Sequence, residues 1–411
     1  MKRLTIPART VFAALCVAIA TQAQAEKPAI QAWSELGYSC EDPKVELPNY
    51  RWLTGLHVAM YFAGSAVDPR YDLGLELPQA DASADEAAAA AGRAFMAKVC
   101  DLDTSEIAKP QSETAADLNA LAEAAAAKTM EMMQATISEE VPYRPFAQAG
   151  IFVPTRIPGD NYTAHLAHFA YDPKLATQIA PPPALDSDEY AASFNETKRV
   201  GAIKDAERTE EQSKATIVFD LQNPHPMIFR ILENRDLSLF EQARVMAIYD
   251  LATDDVMLAQ FAGKLHFQSW RPITAIRRAE LDGRDDTDVD LGWQAFLDTP
   301  NSSEYPCGHC TFVAASAEVL KVLLPLKDGE KIVITAEDMY HDPKERGVGK
   351  EMRKALEGYE MRYESWDAFA EAGGLSRIHN GAHFRYSLNA GMALGKSVAK
   401  ANLQKWDGIE D

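Results

Sequence analysis

Lys264 and Arg271 lie seven residues apart in KLHFQSWRP. Cys307, Gly308, His309 and Cys310 fill the centre of EYPCGHCTF, and Ser376, Arg377, His379 and His383 fall within SRIHNGAHFRYS. Seven residues is close to two helical turns, so on one continuous helix Lys264 and Arg271 share a face, with Pro272 disfavouring helix at Arg271 and ending it there. Pro306 and Gly308 make a turn ahead of a helical run from Thr311 to Leu324. His309 and its neighbouring N–H groups then sit at a helix N-terminus, where anions bind. A helix read from Ala382 onward puts His383 in its first turn, beside a second positive helix end.

These residue types suit a tetrahedral oxyanion. Arg forks and a Lys ammonium neutralise its oxygens, a glycine amide allows close backbone approach, one imidazole attacks or ligates the central atom, and another gives or takes a proton. If the three stretches converge, Lys264, Arg271, Gly308, His309, Arg377 and His383 form such a cradle. The Cys-Gly-His-Cys stretch has a second reading, thiol–disulfide exchange, which requires an exposed, activated Cys307 in a strand–helix–strand setting. No strand pattern precedes the pair and no strand–helix alternation runs through the chain, so the anion-binding turn is the better reading.

The bulk composition fits this. A formal charge of −20 opposes binding to nucleic acid and anionic membrane surfaces. An anionic small molecule would need a locally basic pocket against that background, which gives clustered Lys, Arg and His added weight. No run of 18 apolar residues follows the first 25 positions; the best candidate, Trp52 to Val67, is short and contains His57, so an integral membrane protein is not expected.

Helical periodicity dominates the elements that would position these residues. Apolar residues recur at three- and four-residue spacings over Ser83–Val99, Glu113–Ile137, Leu239–Leu265, Thr311–Leu324 and Ala382–Leu403. Alternating runs are scarce, Ala215–Leu221 and Lys331–Thr335 being the best, so the fold class is mostly α. Ala-rich stretches at 84–94 and 122–127 read as closely packed helices. Residues 143–212, with turn signals such as Pro158-Gly159, read as a long surface connection.

Lys2, Arg3 and Arg9, the apolar run Val11–Ala20 and Ala23-Gln24-Ala25 spell a secretory leader over residues 1–25. The expected organisation is then that leader, an N-terminal helical region over 26–214 and a catalytic helical region over 215–411, in an exported, periplasmic or secreted protein. Four cysteines lie beyond the leader, an even number that permits disulfides; of the three connectivities, Cys40 with Cys100 is preferred, leaving Cys307 and Cys310 for each other.

In this order the three stretches resemble the signature of the superfamily uniting vanadium-dependent haloperoxidases, bacterial acid phosphatases and type 2 phosphatidic acid phosphatases. Its pattern of Lys-x6-Arg-Pro, Pro-Ser-Gly-His and Ser-Arg-x5-His-x3-Asp reads here as Lys264-x6-Arg271-Pro272, Pro306-Cys307-Gly308-His309 and Ser376-Arg377-x5-His383. The resemblance implies a helical bundle of the haloperoxidase/acid phosphatase type. It implies that His383 bonds the vanadium of vanadate or takes a phosphoryl group, and that His309 is its acid–base partner. Lys264, Arg271, Arg377, Gly308 and the residue at 307 would hold the oxygens. Two positions depart from the pattern. Cys307 stands for Ser, and a thiol is the weaker donor; Ser387 stands for the closing Asp, which would orient His383 and raise its basicity.

Three functions follow as expectations. The first is a haloperoxidase-like enzyme with vanadate as cofactor and with peroxide and halide as small-molecule substrates. This branch is favoured by the 66 residues between His309 and Ser376 and by the long helical region ahead of the first motif. The second is a phosphomonoesterase, needing no cofactor, that works through a phosphohistidine at His383. The third is an oxyanion-binding protein that keeps the scaffold without turnover.

Overall fold

In the computed structural model, residues 27–40, 44, 51–100, 116–134, 146–154, 166–220, 224–336, 354 and 356–408 are described. The leader, the Pro158 turn and the ends of the expected helix at 113–137 lie outside them.

The described residues are mostly α-helical, as expected. The chain builds α1 (Ala29–Tyr38), α2 (Arg51–Val67), α3 (Ala84–Val99), α4 (Ala116–Gln134), α5 (Asp188–Val200), α6 (Glu210–Asp220), α7 (His225–Leu232), α8 (Leu239–Phe267), α9 (Pro272–Arg277) and α10 (Gly308–Leu323). A two-stranded antiparallel sheet of β1 (Ile332–Thr335) and β2 (Glu360–Tyr363) follows, and α11 (Trp366–His379) and α12 (Arg385–Asp407) complete the order.

Local sequence explains where the long helices start. Ser83 and Glu86 form a capping box at α3, and Ser238 and Glu241 form one at α8, each satisfying orphan backbone donors reciprocally. α8 is buried around most of its circumference, from Phe240 to Lys264, and is the central rod. One apolar core runs from Ile30 in α1 to Trp406 in α12, so both halves of the chain contribute to it. A buried polar chain crosses it. Asp250 on α8 accepts from His57 at 2.6 Å and His225 at 2.9 Å, whose far ring nitrogens meet Ser34 Oγ and Tyr38 Oη, tying α1, α2 and α7 to the rod. The Cys40–Cys100 disulfide joins the ends of α1 and α3.

α12 lies unusually close to the start of α10. A Cβ at Gly391 would come within 2.5 Å of the Cys307 carbonyl oxygen, and one at Gly395 within 2.2 Å of the Thr311 carbonyl oxygen. Two glycines one turn apart therefore let α12 press on the first turns of the helix that carries His309.

Four expectations need correction. Residues 215–220, read as an alternating strand, belong to α6, whose Thr216–Phe219 stretch is buried on successive positions. The connection over 143–212 contains α5, started by Ser187 as N-cap and burying Tyr190, Phe194 and Thr197. Lys264 and Arg271 do not share a helix: α8 stops at Phe267 with Gln268 left-handed at φ 49°, and Arg271 is the N-cap of α9. His383 is not helical, because α12 begins at Arg385 after the extended Phe384. The expectation at Lys331–Thr335 holds as β1. No helix among the described residues is long and apolar enough to cross a membrane, and α2, which contains Trp52–Val67, is buried in the core.

Candidate active site

Lys264, in the last turn of α8, is buried and directs Nζ at three carbonyl oxygens, those of Ser303 (2.8 Å), Glu304 (3.1 Å) and Pro306 (2.8 Å). Ser303 Oγ returns a bond to the Lys264 carbonyl. The ammonium therefore fixes the loop that leads into α10. Arg271 is held from the same loop, its Nε donating to the Ser302 carbonyl at 2.8 Å and Nη2 to Ser302 Oγ at 3.1 Å. Its Nη1 donates to the Ala382 carbonyl and meets His383 Nε2, both at 2.9 Å.

Cys307 is the N-cap of α10, its sulfur accepting the Cys310 N–H at 3.2 Å, and the two cysteines form a disulfide. Both are fully buried. The thiol-exchange reading therefore fails on access, and the sulfur at 307 carries neither a proton to donate nor a thiolate charge. As a disulfide half, Cys307 cannot play the donor part implied for it. Gly308 is needed for close approach, since a Cβ there would lie 1.6 Å from Gln260 Oε1 of α8.

His309 stands in the first turn of α10. Its Nε2 is buried without a hydrogen-bond partner, 4.0 Å from Asp220 Oδ1 at the end of α6. Burial and then the Arg377 cation hold the His309 imidazole well below its usual range; a hydrogen bond to the Asp220 backbone opposes them, and Arg271 and Lys264 add smaller effects. Arg377 near the end of α11 is buried; its Nη1 donates to the same Asp220 oxygen at 2.6 Å, while Nε has no partner. Asp220 thus joins Arg377 to the edge of His309, a role that its position at a helix end far from the motifs did not signal.

His383 follows the turn at Gly381 (φ +81°), its N–H bonded to the Arg377 carbonyl. Its Nδ1 lies 2.9 Å from Glu304 Oε1, which also accepts the Phe384 N–H at 3.0 Å. An Arg nitrogen can only donate, so Nε2, facing Arg271 Nη1, must be the unprotonated nitrogen, and Nδ1–H donates to Glu304. Burial, with Arg271 and Lys264 the nearest cations, keeps His383 well below the usual imidazole pKa and so neutral. Glu304 is pushed up to about 7 by its burial, offset by the Phe384 N–H and by Arg271 and Lys264. The carboxylate expected at 387 is thus supplied at 304 from the opposite loop. Ser387 acts on Glu304: its Oγ donates to the Glu304 carbonyl at 3.4 Å and its hydroxyl also works to lower the Glu304 carboxyl pKa.

The structure therefore places Lys264, Arg271, Gly308, His309, Arg377 and His383 around one locus, with Glu304 and Asp220 as positioning carboxylates. Three buried cations, the buried His383, the partly buried His309 and a helix N-terminus brought together suit an oxyanion. The unpartnered Arg377 Nε and His309 Nε2 are buried polar atoms that such a group would satisfy. Among the described residues no cluster of His, Cys, Asp and Glu has the makings of a cation site. The donor set fits vanadate or phosphate and not a bare metal ion.

Residues 244–409 match the family model described as VCPO second helical-bundle domain. No curated protein sequence matches the chain. Among solved structures the chain is similar to the first bacterial vanadium-dependent iodoperoxidase, with a TM-score of 0.63 at 15% identity over 92% of this chain and 96% of that one. It is similar also to an apo-type bacterial vanadium-dependent chloroperoxidase (TM-score 0.60, 14% identity, 91% of this chain and 98% of that one). The holo-type form gives a TM-score of 0.59 at 14% identity, over 93% of this chain and 95% of that one. The likeness of fold extends over nearly the whole length, whereas the sequence match is confined to the part that holds all three basic motifs. The fold is therefore the helical one of the bacterial vanadium-dependent haloperoxidases, and residues 244–409 resemble the second helical-bundle domain of that family.

Proposed function

We propose that the protein is a vanadate-dependent haloperoxidase, converting halide, hydrogen peroxide and a proton into hypohalous acid and water. The observation that carries this reading is the fixed tautomer of His383, whose Nε2 lone pair is presented among Arg271, Lys264, Arg377 and His309. A neutral imidazole with its far N–H on a carboxylate is the form that ligates a metal centre.

His383 Nε2 would bond the vanadium, displacing the Arg271 N–H that now faces it. Arg271, Arg377 and the Gly308 amide would hold the oxygens, and Lys264 adds positive charge while its own hydrogens fix the loop. Vanadate, when bound, would supply a Lewis-acidic, electrophilic centre for the oxidation of halide by peroxide. His309 would move the proton: its depressed pKa favours the neutral form, and its Nε2 lies 4.0 Å from Asp220 Oδ1 without a hydrogen-bond partner. The two disulfides suit an oxidising compartment, which supports the reading that the protein is exported.

The test is a parallel assay of bromide oxidation and p-nitrophenyl phosphate hydrolysis, with and without vanadate. Vanadate-dependent bromide oxidation is expected. Ester hydrolysis without bromide oxidation would replace this reading with a phosphohistidine enzyme, and vanadate binding without either activity would replace it with an oxyanion-binding protein.

A further inference from the structure

We propose that Gln260 is a further hydrogen-bond donor to the oxyanion, its carboxamide turning over on binding to present an N–H beside the Gly308 amide. The inference rests on the reading of the basic locus as an oxyanion site, and not on which reaction follows there. Gln260 lies on α8 one turn before Lys264, so the two side chains share a face. That face is pressed on the turn that starts α10. Lys264 Nζ donates to the Pro306 carbonyl at 2.8 Å, and a Cβ at Gly263 would come within 2.7 Å of Pro306 Cδ. Gln260 Oε1 fills the space where a Cβ of Gly308 would stand, 1.6 Å from that position. The carboxamide therefore packs on the residue next to Cys307, whose backbone N–H belongs to the cradle.

A donor is what this turn lacks, because the sulfur at 307 is held in a disulfide and has no hydrogen to give. The Gln260 amide has two N–H hydrogens. It is 7% exposed, and its side chain makes one hydrogen bond among the described residues, from Nε2 to Met257 Sδ at 2.9 Å. A thioether is a weak acceptor, and buried amides are ordinarily paired with better ones. Oε1 lies against the positive N-terminal end of α10, which attracts an oxygen of either kind. The carbonyl oxygen of the amide thus rests where an anion would draw the amide nitrogen instead. Rotation about the last side-chain bond, a broad torsion, exchanges the two ends without moving the backbone. It gives up the N–H···S contact and gains a charge-assisted N–H···O bond, roughly twice as strong as a neutral one. Because the amide carries no charge, it adds a directed donor to the three cations.

Binding of inorganic phosphate and of vanadate to the full chain, measured by calorimetry, tests this without any turnover. Gln260→Met keeps the length of the side chain and removes the amide, while Gln260→Glu leaves acceptors only. Binding of both anions is expected to weaken about tenfold or more in Gln260→Met, the scale of one hydrogen bond to a charged group, and further in Gln260→Glu. A second measurement uses the unmodified protein labelled with nitrogen-15 in its glutamine side chains. The Gln260 amide signals, identified by their absence from either variant, should move downfield in one proton when phosphate is added. Equal affinity in variants that keep a cooperative thermal melt, or Gln260 signals that stay in place while phosphate binds, would overturn the proposal. If the unmodified protein binds neither anion, the proposal falls together with the oxyanion reading of the locus. If binding depends on Gln260 while no bromide is oxidised, the haloperoxidase reading fails and the assignment of Gln260 stands.

Discussion

Glu304 Oε1 lies 2.9 Å from His383 Nδ1, although the two residues are 79 apart in the chain. Because Arg271 occupies the opposite nitrogen as a donor, this contact decides where the single imidazole proton sits. Removing the charge while keeping the shape, as in Glu304→Gln, is expected to weaken vanadate binding by about 10- to 100-fold, the usual scale for losing the carboxylate behind a ligating imidazole. Titration calorimetry with vanadate checks this. Ser387→Ala should weaken binding less than Glu304→Gln, because Ser387 acts through Glu304, which keeps its charge in that variant.

The disulfide in the oxyanion turn gives a prediction of opposite sign. Cys307 as half of a disulfide offers no hydrogen to an oxygen ligand. The double variant Cys307→Ser with Cys310→Ala supplies a hydroxyl at the N-cap and frees it from the bond. Vanadate should bind roughly fivefold tighter, the scale of one added hydrogen bond of ~1 kcal/mol. In the unmodified protein, dithiothreitol under native conditions should leave binding unchanged because both sulfurs are buried; free thiols counted after alkylation are the readout.

His309 links the site to stability against acid. Its folded-state pKa lies well below the ordinary 6.5, so the unfolded chain binds the extra proton first as pH falls. Its contribution is therefore destabilising below about pH 6.5, growing until the folded-state value is reached. Glu304 acts in the other sense: its carboxyl is raised to about 7, so the folded state takes up a proton between the usual carboxylate range and about 7, and acid favours folding over that interval. The two are separated by variant. His309→Gln should lose less in Tm than the unmodified protein on going from pH 7 to pH 5, measured by calorimetry. An equal or larger loss would contradict the assigned neutral state of His309.

Much of the scaffold is legible from local chemistry. Ser83 with Glu86 and Ser238 with Glu241 announce the starts of α3 and α8, and the apolar spacing carries each helix to its end. The six residues of the basic locus are legible as well, since three short motifs hold them all. What escapes is decided by contacts distant in sequence. Residues 215–220 alternate in polarity yet fold as α6, because burial of Thr216–Phe219 against α11 and its neighbours overrides the local pattern. Glu304 is adjacent to the motif and still silent, because only the fold shows that it reaches His383 and takes over from position 387. Asp220 is silent for the same reason, being 157 residues from Arg377.

The most direct measurement of the central claim is the rate of bromide oxidation against added vanadate, for the unmodified protein and for His383→Ala. The account predicts a saturable, vanadate-dependent rate in the first and none in the second, with the variant retaining its thermal melt. Bromide oxidation that is independent of vanadate, or that survives intact in His383→Ala, would contradict it.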